Sequence, residues 1–133
     1  MARTANPKKF LTDDEKQRVV AAIQAAEKET SGEIRVHLEK RCATEPYARA
    51  VKLFEKLGLA ATRQRNGVLI YLALYDRKFA ILGDQGINEK VGSDFWDATV
   101  RKMETLFRQD RFAEGLEAGI LDAPCFQAIL ARH

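Results

Sequence analysis

The chain has 133 residues, 46% of them hydrophobic and 31% charged, with a formal net charge of +3. That size and balance suit one globular domain with one core. They exclude a membrane span, because no apolar run nears the roughly 20 residues required, and the weak basicity gives no nucleic-acid signature.

Residues 1–9 read as a flexible N-terminal lead, and residues 10–133 as a single domain. The first nine residues lack the apolar stretch of a signal peptide. A helix is predicted from Thr12, because Thr12 and Glu15 have capping-box spacing and Asp13 and Asp14 place negative charge in the first turn. Val19, Ala22, Ile23 and Ala26 form its inner stripe, and Thr30-Ser31-Gly32 is its predicted stop.

Residues 33–39 alternate, with Ile34, Val36 and Leu38 on one face and Glu33, Arg35, His37 and Glu39 on the other. This is the pattern of a half-buried strand. A second helix is predicted over residues 45–57, with Thr44 as N-cap and Tyr47, Val51, Phe54 and Leu57 facing the sheet. Gly58 ends it. The run from Val68 to Tyr75 carries no charge and reads as a strand buried on both faces. Asp76-Arg77-Lys78 is a turn, and Phe79 opens a third strand. The strand–helix–strand unit predicts a right-handed crossover with strands 1 and 2 parallel, and strand 3 returns antiparallel.

A glycine-rich loop over residues 83–92 leads to a helix from about Ser93. Its apolar face is Phe95, Trp96, Thr99, Val100, Met103, Leu106 and Phe107. A further helix is predicted from Asp110, burying Phe112, Leu116 and Ile120, with a break or kink at Pro124 and a last short segment through Phe126, Ile129 and Leu130. The fold class is therefore α/β: a three-layer α/β/α sandwich with a small mixed sheet.

Strand direction sorts the polar residues into two edges. One gathers Ser31, Gly32, Glu33, Arg65, Asn66, Asp84, Gln85 and Asn88. The other gathers Arg41, Cys42, Thr44, Tyr47, Asp76 and Arg77. Ligands of open α/β sheets favour the carboxyl ends of parallel strands, which is the second edge, whereas glycine and carboxylate concentrate at the first. Asp84, helped by Glu33 and neighbouring carbonyls, reads either as an oxygen ligand for a hard divalent cation or as a turn aspartate bonded to its own backbone, the commoner use. Asp76 reads as the first residue of a tight turn or as a catalytic carboxylate at a strand end, and the turn is preferred.

Other chemistry is excluded by spacing. A cysteine-nucleophile phosphatase needs an arginine six positions after the cysteine, where Cys42 has Ala48. An aspartate-nucleophile phosphatase needs a second aspartate two positions on, where Asp76 has Lys78. Residues 83–87 lack the Gly-Lys-Ser/Thr ending of a phosphate loop. His37 and His133 do not pair at zinc-ligand spacing. Cys42 and Cys125 read as reduced thiols of a cytoplasmic protein.

Thr30-Ser-Gly-Glu-Ile-Arg-Val36, Phe54-Glu-Lys-Leu-Gly-Leu59, Arg65-Asn-Gly-Val-Leu-Ile-Tyr-Leu-Ala73, Asp76-Arg77, Gly83-Asp-Gln-Gly-Ile87 and Phe112-Ala-Glu-Gly-Leu-Glu-Ala-Gly-Ile120, in that order, resemble the TPM domain. The family groups a thylakoid-lumen acid phosphatase-like protein, a photosystem II repair protein and a levamisole-receptor auxiliary subunit. The likeness spans residues 10–122 and is to the short, soluble branch. It implies an α/β/α sandwich, binding of a divalent cation (Ca²⁺ or Mg²⁺) and a phosphate-bearing ligand, and weak metal-assisted phosphatase activity. The alternative is a non-catalytic module that binds a protein partner. Carried over by position, the implied metal residues are Asp84 and Gly86 in the loop after strand 3, then Asp76, beside Glu33. Many members have Asp-x-x-Gly before the first helix and Gly-Tyr-Gly after strand 3, where this chain has Phe10-Leu-Thr-Asp and Gly83-Asp-Gln-Gly.

Overall fold

The computed structural model describes residues 4–28, 33–59, 67–83 and 97–131, the last with side chains to Asp122. Their order is α1 (Asp13–Glu27), β1 (Ile34–Glu39), α2 (Pro46–Lys56), β2 (Val68–Ala73), β3 (Lys78–Gly83), α3 (Asp97–Arg108) and α4 (Phe112–Ala131). The sheet order is β1-β2-β3, with β1 parallel and β3 antiparallel to β2. This is the predicted mixed sheet, with helices on both faces.

The capping box of α1 forms as its spacing predicts. The Glu15 amide donates to Thr12 Oγ1 at 3.2 Å, and the Thr12 amide donates to Glu15 Oε1 at 2.9 Å. Phe10 and Leu11 enter the core just before the helix, and Val19 and Ala26 follow on its buried stripe. The Lys16 ammonium donates to Lys8 O at 2.7 Å, tying the preceding segment to α1. The predicted stop at Thr30–Gly32 lies outside the described residues.

Every residue of β2 is buried because its side chains alternate between two cores. Val68, Ile70 and Leu72 meet Ile34 of β1 together with Val19, Met103, Leu116 and Ile120 of α1, α3 and α4. Leu69, Tyr71 and Ala73 meet Ala50, Leu53 and Phe54 of α2. Each large aliphatic buried this way contributes roughly 1.5–3 kcal/mol. The uninterrupted apolar run is the price of a strand covered on both faces.

Five local expectations are corrected. The N-cap of α2 is Glu45, not Thr44: its carboxylate accepts from the amides of Tyr47 at 3.1 Å and Ala48 at 3.0 Å. Pro46 fixes the first helical position, so the cap falls on the residue before it. The buried face of α2 is Ala50, Leu53 and Phe54, while Tyr47 and Val51 are 47% and 40% exposed. Ala50, at 0% exposure, lets the helix lie close on the sheet, and that approach sets the rotation of the helix.

The hairpin turn begins earlier than expected. β2 ends at Ala73, residues 74–77 form the turn and Lys78 already pairs with Ala73. Arg77 adopts φ 54°, which closes the turn, and Tyr75 is exposed rather than within the strand. At the C-terminal end, Asp110 does not open a helix. Its φ of 62° ends the turn after α3, where its amide donates to Phe107 O at 3.0 Å. α4 then runs from Phe112 through Pro124 without a break. A proline removes one intrahelical donor and crowds one carbonyl, and the helix continues past it. Phe95 and Trp96 lie outside the described residues, whereas Thr99 and Met103 are buried as predicted.

Candidate functional site

The sheet presents two ends. At the amino end of β1 and β2, the Val68 amide donates to Glu33 O at 2.9 Å, and Val68 pairs with Gly83, the last residue of β3. Glu33 and the end of β3 therefore share one edge, separated by the width of two strand spacings, roughly 10 Å. The Glu33 carboxylate is 41% exposed, and its Oε1 takes a 3.0 Å contact from Arg35 Nη2. Asp84 and Gly86, the implied ligands beside it, lie outside the described residues, as do Ser31, Gly32, Arg65, Asn66, Gln85 and Asn88. Among the described residues no three His, Cys, Asp or Glu side chains converge where a metal ion could be held.

Asp76 belongs to the opposite end. The six residues of β2 separate it from Glu33 by roughly 20 Å, so the two carboxylates do not share a site. Asp76 Oδ2 accepts a 2.7 Å hydrogen bond from the Cys42 amide. It thereby fastens the loop after β1 to the hairpin turn, which is a positioning use. Cys42 is a buried free thiol whose Sγ donates to Thr44 O at 3.0 Å. Arg41 lies 4.0 Å above the ring of Tyr75, a cation–π contact across the same two loops.

A cluster that the sequence reading did not assemble stands beside this loop. Glu39 ends β1 on its polar face. Its carboxylate accepts from Arg49 of α2 through Nε at 3.2 Å and Nη2 at 2.5 Å, and from the Tyr71 hydroxyl at 2.7 Å. His37 Nε2 lies 3.5 Å from Glu39 Oε1, and its ring stacks on Tyr71 with centroids 6.2 Å apart. The hydrogen bond from Arg49 is the main cause holding the Glu39 carboxyl near a pKa of about 2, against the opposing effect of burial. Arg49 is pushed up in turn by the same bond. Burial first, then the bond to Glu39, push the Tyr71 phenol well above its ordinary value, so it remains a hydrogen-bond donor.

One signal in the sequence could have found this cluster. Tyr71 is the one polar side chain in the buried run of β2, and a buried tyrosine hydroxyl needs a partner. The parallel register sets Tyr71 opposite His37, two residues before Glu39.

Between the loop after β1 and α2 lies a groove of about 580 Å³. Glu39, Lys40, Arg41, Cys42, Arg49 and Lys52 line its polar part. It occupies the carboxyl end of the parallel pair, where open α/β sheets place their ligands. No described helix is long and apolar enough to cross a membrane.

Known proteins agree with this architecture. The NMR structure of the BA42 protein from the psychrophilic bacterium Bizionia argentinensis is similar at 44% identity, covering 96% of this chain and 88% of that one, with a TM-score of 0.85. The N-terminal domain of a protein from P. gingivalis, at 20% identity, shares the fold over 93% of this chain and 78% of that one, with a TM-score of 0.69. No curated protein matches. The model of the TPM domain matches residues 5–123, nearly the whole length, and the chain belongs to the TPM domain family.

Proposed function

We propose that this TPM domain binds a divalent cation, Ca²⁺ or Mg²⁺, at the amino edge of the parallel strands, and through it a phosphate-bearing ligand. The observation that supports this reading is the register that brings Glu33 and the end of β3 to one edge. Glu33 offers a half-exposed carboxylate there, and the sequence continues from Gly83 directly into Asp84 and Gly86. Carboxylate and carbonyl oxygens are the donor set that hard cations take. Glu33 and Asp84 are the ligands in this reading, with Gly86 allowing the loop to turn carbonyls inward. Asp76 is not among them, being engaged at the far end of the sheet. A bound cation would offset the repulsion between the carboxylates and offer a Lewis-acid contact to a phosphoryl oxygen, the chemistry behind weak phosphoester hydrolysis.

The test is a titration with Ca²⁺ and with Mg²⁺, followed by backbone amide shifts. Saturable shifts around residue 33 and residues 83–88, lost in Asp84→Ala, are expected. Shifts gathered instead around Asp76, or a flat response at millimolar metal, overturn the reading. Phosphate release from an aryl phosphate, with and without the cation at acidic to neutral pH, separates a hydrolase from a domain that only binds. A flat result in both assays favours the protein-interaction module.

A further inference from the structure

We infer that the free edge of β1 is a self-association surface, on which the same strand of a second copy of this chain pairs antiparallel. β1 is an outer strand of the sheet, and among the described residues no strand pairs with it on the side away from β2. The Val68 amide donates to Glu33 O and the Leu74 amide to Glu39 O. Backbone groups alternate in direction along a strand, so Glu33, Arg35, His37 and Glu39 turn theirs to β2. Ile34, Val36 and Leu38 turn theirs outward.

Two groups on this outer side are already used. The Ile34 amide donates to Glu27 Oε2 at 2.9 Å, and Lys40 O accepts from the Tyr75 amide at 2.8 Å. Between these stops, the amides and carbonyls of Val36 and Leu38 have no hydrogen-bond partner among the described residues. A two-fold axis perpendicular to the sheet sets a strand antiparallel to its own copy. With His37 on that axis, Val36 lies opposite Leu38 of the second copy, and every open group of both residues is bonded. The next outward pair is Ile34 with Lys40 of the second copy. The Ile34 amide and the Lys40 carbonyl would meet there, and these are the two groups that the single chain has already satisfied.

The same register matches the side chains. Arg35 falls opposite Glu39 of the second copy, on both sides of the axis, in the close positions of an antiparallel pair where opposite charges attract. The Arg35 side chain is 43% exposed and can reach across. On the other face Val36 and Leu38 are half-buried against the core under α1 and α4, and an added strand covers more of both. Moving the axis to Val36 or to Leu38 loses the match of Arg35 with Glu39 and leaves a backbone group of Leu38 or Val36 without a bond. β1 also carries no proline, lysine or bulge, devices that keep an edge strand from pairing. A six-residue strand buries less than the ~1,200 Å² of a stable complex, so the dimer is weak and forms at high protein concentration.

Sedimentation equilibrium of the full chain in a chelator, at neutral pH and up to about 1 mM protein, should show a monomer–dimer equilibrium. Over the same concentration series the Val36 and Leu38 amides should shift and exchange their hydrogens at least twofold more slowly, while the His37 amide, directed at β2, is protected throughout. Arg35→Glu sets a carboxylate against Glu39 twice over and should weaken association at least tenfold, with the amide spectrum at low concentration showing that the chain is folded. A chain that stays monomeric at about 1 mM overturns the inference and leaves this edge to an extended segment of another protein. A dimer whose concentration-dependent shifts lie away from residues 34–40, or one that Arg35→Glu does not weaken, overturns it as well. The chelator separates this association from any bridging by a cation at Glu33.

Discussion

Replacing Glu39 by glutamine tests the centre of the cluster at the carboxyl edge. The change is nearly isosteric; it removes the charge and turns one of the two acceptor oxygens that face Arg49 and Tyr71 into a donor NH₂. The carboxyl stands at about 2 in the folded chain against an ordinary 4.5. At ~1.4 kcal/mol per pH unit that difference sets a ceiling of ~3 kcal/mol for the stabilisation at neutral pH. Arg49 is 34% exposed, so solvent screens part of the attraction, and a destabilisation of about 1–2 kcal/mol is expected for Glu39→Gln at pH 6.

The sign of the pH dependence follows from the depressed value. The contribution of Glu39 is fully present above about 4.5 and is lost as the pH falls through about 2. The gap between parent and variant should therefore narrow in acid, to roughly two-fifths of its neutral value by pH 3. Urea unfolding of both proteins at pH 6, 4 and 3 measures it. A gap that stays constant over that range, or no gap at pH 6, would refute the account of Glu39 as a charge held by Arg49 and Tyr71.

Asp76→Asn should cost about 1 kcal/mol, because the hydrogen bond from the Cys42 amide loses its charged acceptor, and Cys42 should react faster with a thiol reagent as the loop loosens. Gly67→Ala places a Cβ 2.6 Å from the Leu59 carbonyl oxygen, a backbone atom that cannot swing aside, so a loss of at least ~2 kcal/mol in urea unfolding is expected. Gly58→Ala meets open space at φ +78° and should cost only about 1 kcal/mol, through backbone strain alone. Thr12→Ala removes the capping box of α1 and should lower stability by about 1 kcal/mol, seen as a lower denaturation midpoint with an unchanged slope.

Local chemistry was legible in the chain wherever neighbours in sequence decide the outcome. Thr12 and Glu15 are one helical turn apart, and their reciprocal bonds need nothing beyond α1. The alternation of residues 34–39 and the charge-free run of residues 68–73 are periodic signals, and periodicity is a property of the sequence. With strands and a crossover helix identified, parallel β1 and β2 followed from chain geometry.

Only the tertiary structure decided which face of α2 is buried. The sequence offers Tyr47 and Val51 as apolar candidates, but the helix turns Ala50, one of its two alanines, to the sheet, where close approach buries Leu53 and Phe54. For a similar reason the sequence could signal that Tyr71 needs a partner but could not join it to Glu39 and Arg49. Glu39 and Arg49 are ten positions apart and Glu39 and Tyr71 thirty-two, so no local pattern links them. The sheet register and the placing of α2 bring them together, and both are set by packing of apolar residues that take no part in the site. Charge and hydrogen-bonding capacity are written at each position of the chain, whereas the distance between two such positions is fixed by the core between them.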